Sequence, residues 1–133
     1  MPIKLEVISR KGTIFSEDVD FVVVPGVEGE LGILPLHTPL LSGLKKGELR
    51  YKKGNKESSM YIEEGFLEVT SDRILVLAEE AEKAEDINID EAIKAKKEAE
   101  EIIAASIDSK EVMRARIALM RELQRIKIAQ KIK

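Results

Sequence analysis

Asn88-Ile89-Asp90-Glu91-Ala92-Ile93-Lys94-Ala95 is where the chain changes character. Asn88 and Glu91 stand three apart ahead of an apolar pattern, the spacing of a capping box, and Asp90 and Glu91 suit the positive end of a helix. From Gly65 to the end there is no further glycine or proline, and Ala, Glu, Lys, Leu and Ile dominate. Those residues favour helix, so the spacing predicts a first helix over about Ile89–Ala105. Ala92, Ala95, Ala99, Ile102 and Ile103 then form a narrow, alanine-rich stripe at 100° per residue, which lets a second helix come close. Asp108 and Glu111 repeat the capping spacing, predicting a break at Ser106–Ser109 and a second helix from about Lys110. Its seam is Val112, Ala115, Leu119, Leu123 and Ile126, and an antiparallel hairpin buries both stripes.

Upstream, the period is that of strands. Ile3, Leu5 and Val7 alternate with Lys4 and Glu6; Val19 to Val24 is β-branched and largely apolar; Met60 and Ile62 alternate with polar neighbours. Ile74 to Leu77 reads as a strand buried on both faces. Turn residues fall at Lys11-Gly12, Pro25-Gly26, Gly54-Asn55 and Ser71-Asp72, the third closing a hairpin between Gly47–Lys52 and Ser58–Ile62. Short strands so spaced predict a β-sandwich. The expected fold is therefore α+β: an N-terminal β-sandwich over 1–85, then an antiparallel two-helix hairpin over 86–133.

One strand connection is unusual. Glu28 to Leu41 packs Gly29, Gly32, Pro35, Pro39 and the only histidine, His37, among apolar residues. It reads as a shaped loop, because Gly29 and Gly32 permit angles that a β-carbon forbids while Pro35 and Pro39 fix φ and remove two donors. Such a loop either carries contacts with a partner or simply joins two strands tightly.

Composition narrows the chemistry. With no cysteine there is neither a disulfide, a thiolate metal site nor a cysteine nucleophile, which suits a reducing cytoplasm. No run approaches the roughly 20 apolar residues that span a bilayer, and no signal-peptide layout opens the chain, so a soluble, non-exported protein is expected. One histidine without a carboxylate cluster at ligand spacing gives little for a metal to coordinate with. There is no nucleophile elbow for a serine triad through His37 and no phosphate-cradling glycine loop.

Charge is placed unevenly. Net charge is −3 overall, yet Lys110 to Lys133 carries 8 basic residues against Glu111 and Glu122 alone. Lys110, Arg114, Arg121 and Arg125 fall within roughly 60° of one another on the second helix. A solvated face is one reading of that stripe; contact with carboxylates or phosphates is the other, favoured by the scarcity of acidic residues beside it. A nucleic-acid-binding adaptor lying along phosphates is the alternative function. The acidic net charge and the lack of aromatic residues near the stripe argue against it.

The Glu28–Leu41 segment, Leu5-Glu6-Val7-Ile8-Ser9 followed by Phe15, and Gly65-Phe66-Leu67-Glu68-Val69 together resemble the epsilon-subunit family of bacterial F-type ATP synthases, in order and over the whole chain. Glu64 stands where that family usually has a glycine, and Leu36-His37 replaces its usual Gly-His. The resemblance implies a non-catalytic rotor part, without cofactor, in a complex that makes ATP from ADP and phosphate using a transmembrane proton or sodium gradient. It implies a peripheral place at the cytoplasmic face of the bacterial membrane, reached only through the complex. The partners implied are the gamma subunit, the c-ring and the alpha and beta catalytic subunits, with no nucleic acid. Glu30 and His37 match positions near the ring and gamma. Lys110, Arg114, Arg121 and Arg125 fall where the family's second helix meets an acidic segment of the beta subunits and inhibits ATP hydrolysis. Some members bind ATP on the hairpin. Glu82, Ile87, Ala92, Arg121 and Arg125 match that set, but Asn88 replaces an aspartate and Glu91 an arginine, so ATP binding is expected to be weak or absent.

Overall fold

The computed structural model describes residues 2–35 and 39–131. It divides into two compact units, Met1–Lys83 and Ala84–Lys133.

The first unit is built from ten strands: β1 (Ile3–Ser9), β2 (Gly12–Val19), β3 (Phe21–Gly26), β4 (Gly29–Ile33), β5 (Leu40–Leu44), β6 (Gly47–Lys53), β7 (Lys56–Ile62), β8 (Gly65–Val69), β9 (Arg73–Ala78) and β10 (Ala81–Lys83). They hydrogen-bond in the order β10-β7-β6-β3-β5-β8-β9-β1-β2, with β4 added to β3. The two ends of this path also meet, since β10 packs on β1 and β2, so the sheet folds over a single core as the sandwich reading expects. Alternation fills that core. Ile3, Leu5 and Val7 of β1 are buried, as are Val22 and Val24 of β3 and Met60 and Ile62 of β7. Each such side chain removed from water contributes about 1.5–3 kcal/mol.

Four local readings are corrected. Val19–Val24 is not one strand: Asp20 separates β2 from β3, its carboxylate accepting from the Gly54 amide at 2.8 Å and its own amide donating to the Lys52 carbonyl at 2.8 Å. A short acid that captures backbone groups in this way is a natural interruption. Pro25-Gly26 ends β3 in pairing with Glu30 and Gly29, and the turn falls two residues later at Val27-Glu28. The segment read as a loop therefore begins as a strand, β4, and its last two residues, Leu40 and Leu41, belong to β5. Gly29 does need its freedom, with φ +133°, whereas Gly32 is small because an added Cβ would lie 3.2 Å from the Phe21 ring. Lastly, β9 is buried on one face, with Ile74 and Val76 inside and Leu77 46% exposed.

The β6–β7 hairpin closes at Gly54-Asn55, with Gly47–Lys53 pairing onto Lys56–Ile62. Gly65 pairs with Ala78 so tightly that a Cβ would fall 1.8 Å from the Leu77 carbonyl oxygen. Backbone alone fits there.

The second unit is a 3-10 turn (Ala84–Asp86) followed by α1 (Ile89–Ala105) and α2 (Ser109–Gln130). The Asn88 side chain accepts from the Glu91 amide at 3.1 Å, and Asp108 accepts from Lys110 and Glu111, so both expected caps form. A cap of this kind contributes about 1 kcal/mol. The helices pack on each other, and α2 also meets the 3-10 turn ahead of α1; across so short a link that makes the hairpin antiparallel. Ala99 and Ala115 lie eight residues either side of Ile107, hence level in such a hairpin, and both are buried.

Candidate functional site

The basic row of α2 is divided in the structure. Lys110 and Arg114 are exposed, while Arg121 and Arg125 are half-buried. Arg125 donates from Nη1 to Glu122 Oε1 at 2.6 Å, and the two side chains are only 12% and 8% exposed. A charge-assisted bond held out of water is stronger than the same pair on a surface, but both ions give up hydration to make it.

The cause is a rotation of the buried face. Ala115, Glu122, Ile128 and Ala129 are buried, whereas Leu123, expected in the seam, is 46% exposed. At 100° per residue Ala115, Glu122 and Ala129 centre about 60° from the expected seam, and Ile128 lies farther round in the same sense, so the buried sector is turned away from Leu123 and takes in Arg125. Alanine governs that choice, since short side chains allow the closest helix approach.

Opposite this face lies a feature that the sequence reading missed. Met113, Ile117 and Met120 are 59%, 47% and 66% exposed and share one row. Exposed Lys110 and Arg114 border it on one side, and Arg116 and Lys127 on the other. The i, i+4, i+7 spacing was present in the sequence, but a helix with two apolar faces hides the second behind the first. An apolar row between basic borders suits a partner surface that is apolar with acidic margins.

The remaining candidates are taken unit by unit. Glu30 lies on β4 with its carboxylate exposed and 3.6 Å from the Arg50 guanidinium of β6. His37 lies outside the described residues. Glu82 belongs to β10, opposite Tyr61, in the sandwich unit. In the helical unit Ile87 and Ala92 are buried, and Asn88 is engaged as the α1 cap. Elsewhere on the sandwich, Lys53 donates to Glu17; this hydrogen bond and then the lysine charge lower the Glu17 carboxyl, and the same contact raises Lys53. Among the described residues no three His, Cys, Asp or Glu side chains are grouped to hold a metal ion. No helix among them is long and apolar enough to cross a membrane.

A β-sandwich unit followed by a capped helical hairpin with a basic row on its second helix defines a two-unit α+β chain. The match to known proteins gives that class its family. Residues 2–84 match the β-sandwich domain, and residues 85–130 the long α-helix domain, of the ATP synthase delta/epsilon chain, and the chain belongs to that family. An ATP synthase epsilon chain of Dehalococcoides mccartyi is 45% identical over 97% of this chain and 93% of its own length. One of Desulforamulus reducens is 43% identical over 96% of each. Among solved structures, a chain in the Euglena gracilis mitochondrial ATP synthase (OSCP/F1/c-ring) superposes with a TM-score of 0.79 at 26% identity, covering 92% of this chain and 78% of that one. A chain of the Tetrahymena thermophila mitochondrial enzyme, at 10% identity and TM-score 0.57, shares the fold. The protein is thus a non-catalytic accessory chain of the ATP synthase complex. These matches give no support to the nucleic-acid reading of α2.

Proposed function

We propose that the two units of this central-stalk subunit divide its work: residues 1–85 dock on the rotor, against the gamma subunit and the c-ring, and residues 86–133 restrain ATP hydrolysis. The complex makes ATP from ADP and phosphate with a transmembrane proton or sodium gradient, and this chain lies at the cytoplasmic face of a bacterial membrane, held there only by the complex. Glu30 and His37 serve the ring and gamma contact. On α2, Lys110, Arg114, Arg121 and Arg125 meet carboxylates of the beta subunits.

The observation that carries this reading is the exposed apolar row of α2 with basic borders, a surface built for an acidic partner and of no evident use to an isolated hairpin. A charged helix wedged against subunits that must open and close adds a barrier to rotation. Replacing Arg114, Arg121 and Arg125 together with alanine should raise ATP hydrolysis by the assembled complex. Unchanged hydrolysis, with the variant chain retained in the complex, would reduce the row to a solvated face.

A further inference from the structure

The sequence Glu-x-x-Arg occurs twice on α2, as Glu111-Val112-Met113-Arg114 and Glu122-Leu123-Gln124-Arg125. Spacing alone would treat the two alike, since residues three apart are neighbours on a helix. The structure does not. Among the described residues no ion pair joins exposed Glu111 to exposed Arg114, whereas Glu122 holds Arg125 at 2.6 Å with both side chains nearly shut off from water. Glu122 is also the one buried carboxylate among the described residues. Burial has closed the second pair, and only the second.

We infer that Glu122 is an intramolecular competitor for Arg125: it occupies the guanidinium that an acidic partner would otherwise take, and so sets the strength of the brake. The inference rests on the reading that the basic row of α2 meets carboxylates. Because Glu122 lies on the same helix, three residues before Arg125, it travels with that arginine whenever α2 moves as a unit. A partner carboxylate reaching Arg125 must then displace Glu122 or sit beside it, and like charges side by side oppose the contact. Arg114 carries no such restraint. The two ends of the row therefore differ in kind: the Arg114 end is exposed and engages at once, and the Arg125 end engages against Glu122.

ATP hydrolysis by the assembled complex tests this with Glu122→Gln, Glu111→Gln, Arg114→Ala, Arg125→Ala and the Glu122→Gln/Arg125→Ala pair. Glu122→Gln should lower hydrolysis by about tenfold or more, tenfold being near the low end of one close charge coupling. Glu111→Gln should stay within about twofold of wild type, because an exposed i,i+3 charge contributes little. In the Arg125→Ala background, compared at matched helix signal at 222 nm because Glu122→Gln there also removes a stranded buried charge, Glu122→Gln should no longer lower hydrolysis, a dependence that a purely packing role for Glu122 would not produce. Where Glu122→Gln loses helix signal at 222 nm, Glu122→Met fills the same space without a charge and should give the same drop.

Hydrolysis unchanged or raised by Glu122→Gln, an equal effect of Glu111→Gln, or persistence of the effect without Arg125 would each overturn the inference. Arg114→Ala separates its failure from that of the underlying reading. A rise with Arg114→Ala beside a flat Glu122→Gln removes the competitor alone, whereas no change in either removes the brake and the competitor with it.

Discussion

Arg125 and Arg114 share one sector of α2 but should differ sharply in what their loss does to the helix. Arg125 is 12% exposed and paired with a carboxylate that is 8% exposed, so Arg125→Ala strands Glu122 as a buried charge without its partner. Breaking one side of a buried pair costs about 3–5 kcal/mol. Taking about 3 kcal/mol, local opening of α2 becomes roughly a hundredfold more frequent. Arg114 is exposed, and Arg114→Ala should change stability by less than about 0.5 kcal/mol. Hydrogen exchange read by mass spectrometry on peptides of α2 separates the cases. Exchange across Leu119–Gln130 should speed up about a hundredfold in Arg125→Ala and stay within about twofold of wild type in Arg114→Ala. Equal protection in both variants would show that the Glu122–Arg125 bond contributes nothing net, and that the burial argument has the wrong sign.

Gly65→Ala should destabilise the sandwich by about 3 kcal/mol or more in urea unfolding, because its Cβ meets the Leu77 carbonyl oxygen at 1.8 Å and the Ala78 Cα at 2.8 Å; a loss below about 1 kcal/mol would contradict that close approach. Glu17 titrates below the ordinary glutamate range because of Lys53, so its contribution is present above about pH 4.3 and is lost as pH falls through the lowered folded value. Lys53, raised in turn, contributes below about pH 10.4 and loses that contribution as pH rises through its folded value. Lys53→Met should return the Glu17 carboxyl to the ordinary range in an NMR titration, and an unmoved midpoint would refute the pairing. Calorimetry should find no micromolar ATP binding to the wild-type chain. Asn88→Asp/Glu91→Arg should gain about ten- to a hundredfold from one charge-assisted hydrogen bond and one repulsion removed; tight wild-type binding, or no gain, would overturn the assignment of these positions to capping.

The parts of the fold that the sequence made legible are those governed by neighbours along the chain. Asn88 and Asp108 cap helices through amides two and three residues away, and α1 runs over the Ile89–Ala105 expected from its pattern. The Gly54-Asn55 turn depends on one left-handed glycine, with φ +64°. The misreadings all depend on partners distant in sequence. Asp20 looks like a polar residue inside an apolar strand until Gly54, 34 positions away, is found bonded to its carboxylate. Gly29–Ile33 reads as loop because glycine is poor in strands, yet pairing with Val22–Gly26 of β3 outweighs that preference. Leu77 seemed buried because it is apolar, but its burial depends on which face of β9 the core occupies, and that is fixed by register with β8 and β1.

The same division runs through the candidate site. Charge, spacing and helical phase were local, so the basic row could be read directly. What the phase could not supply was the depth to which each arginine sinks, because that follows from tertiary packing. Ala92, Ala99, Ala115 and Ala129 are buried, and Arg125 is the most enclosed cation of the row for which a pair is seen, at 12% exposed. A buried arginine needs an acid, and Glu122 is the acid on that face. The single acidic residue in the later half of α2, which on charge count merely dilutes the basic stripe, is therefore the one whose position decides how much of the stripe a partner can use.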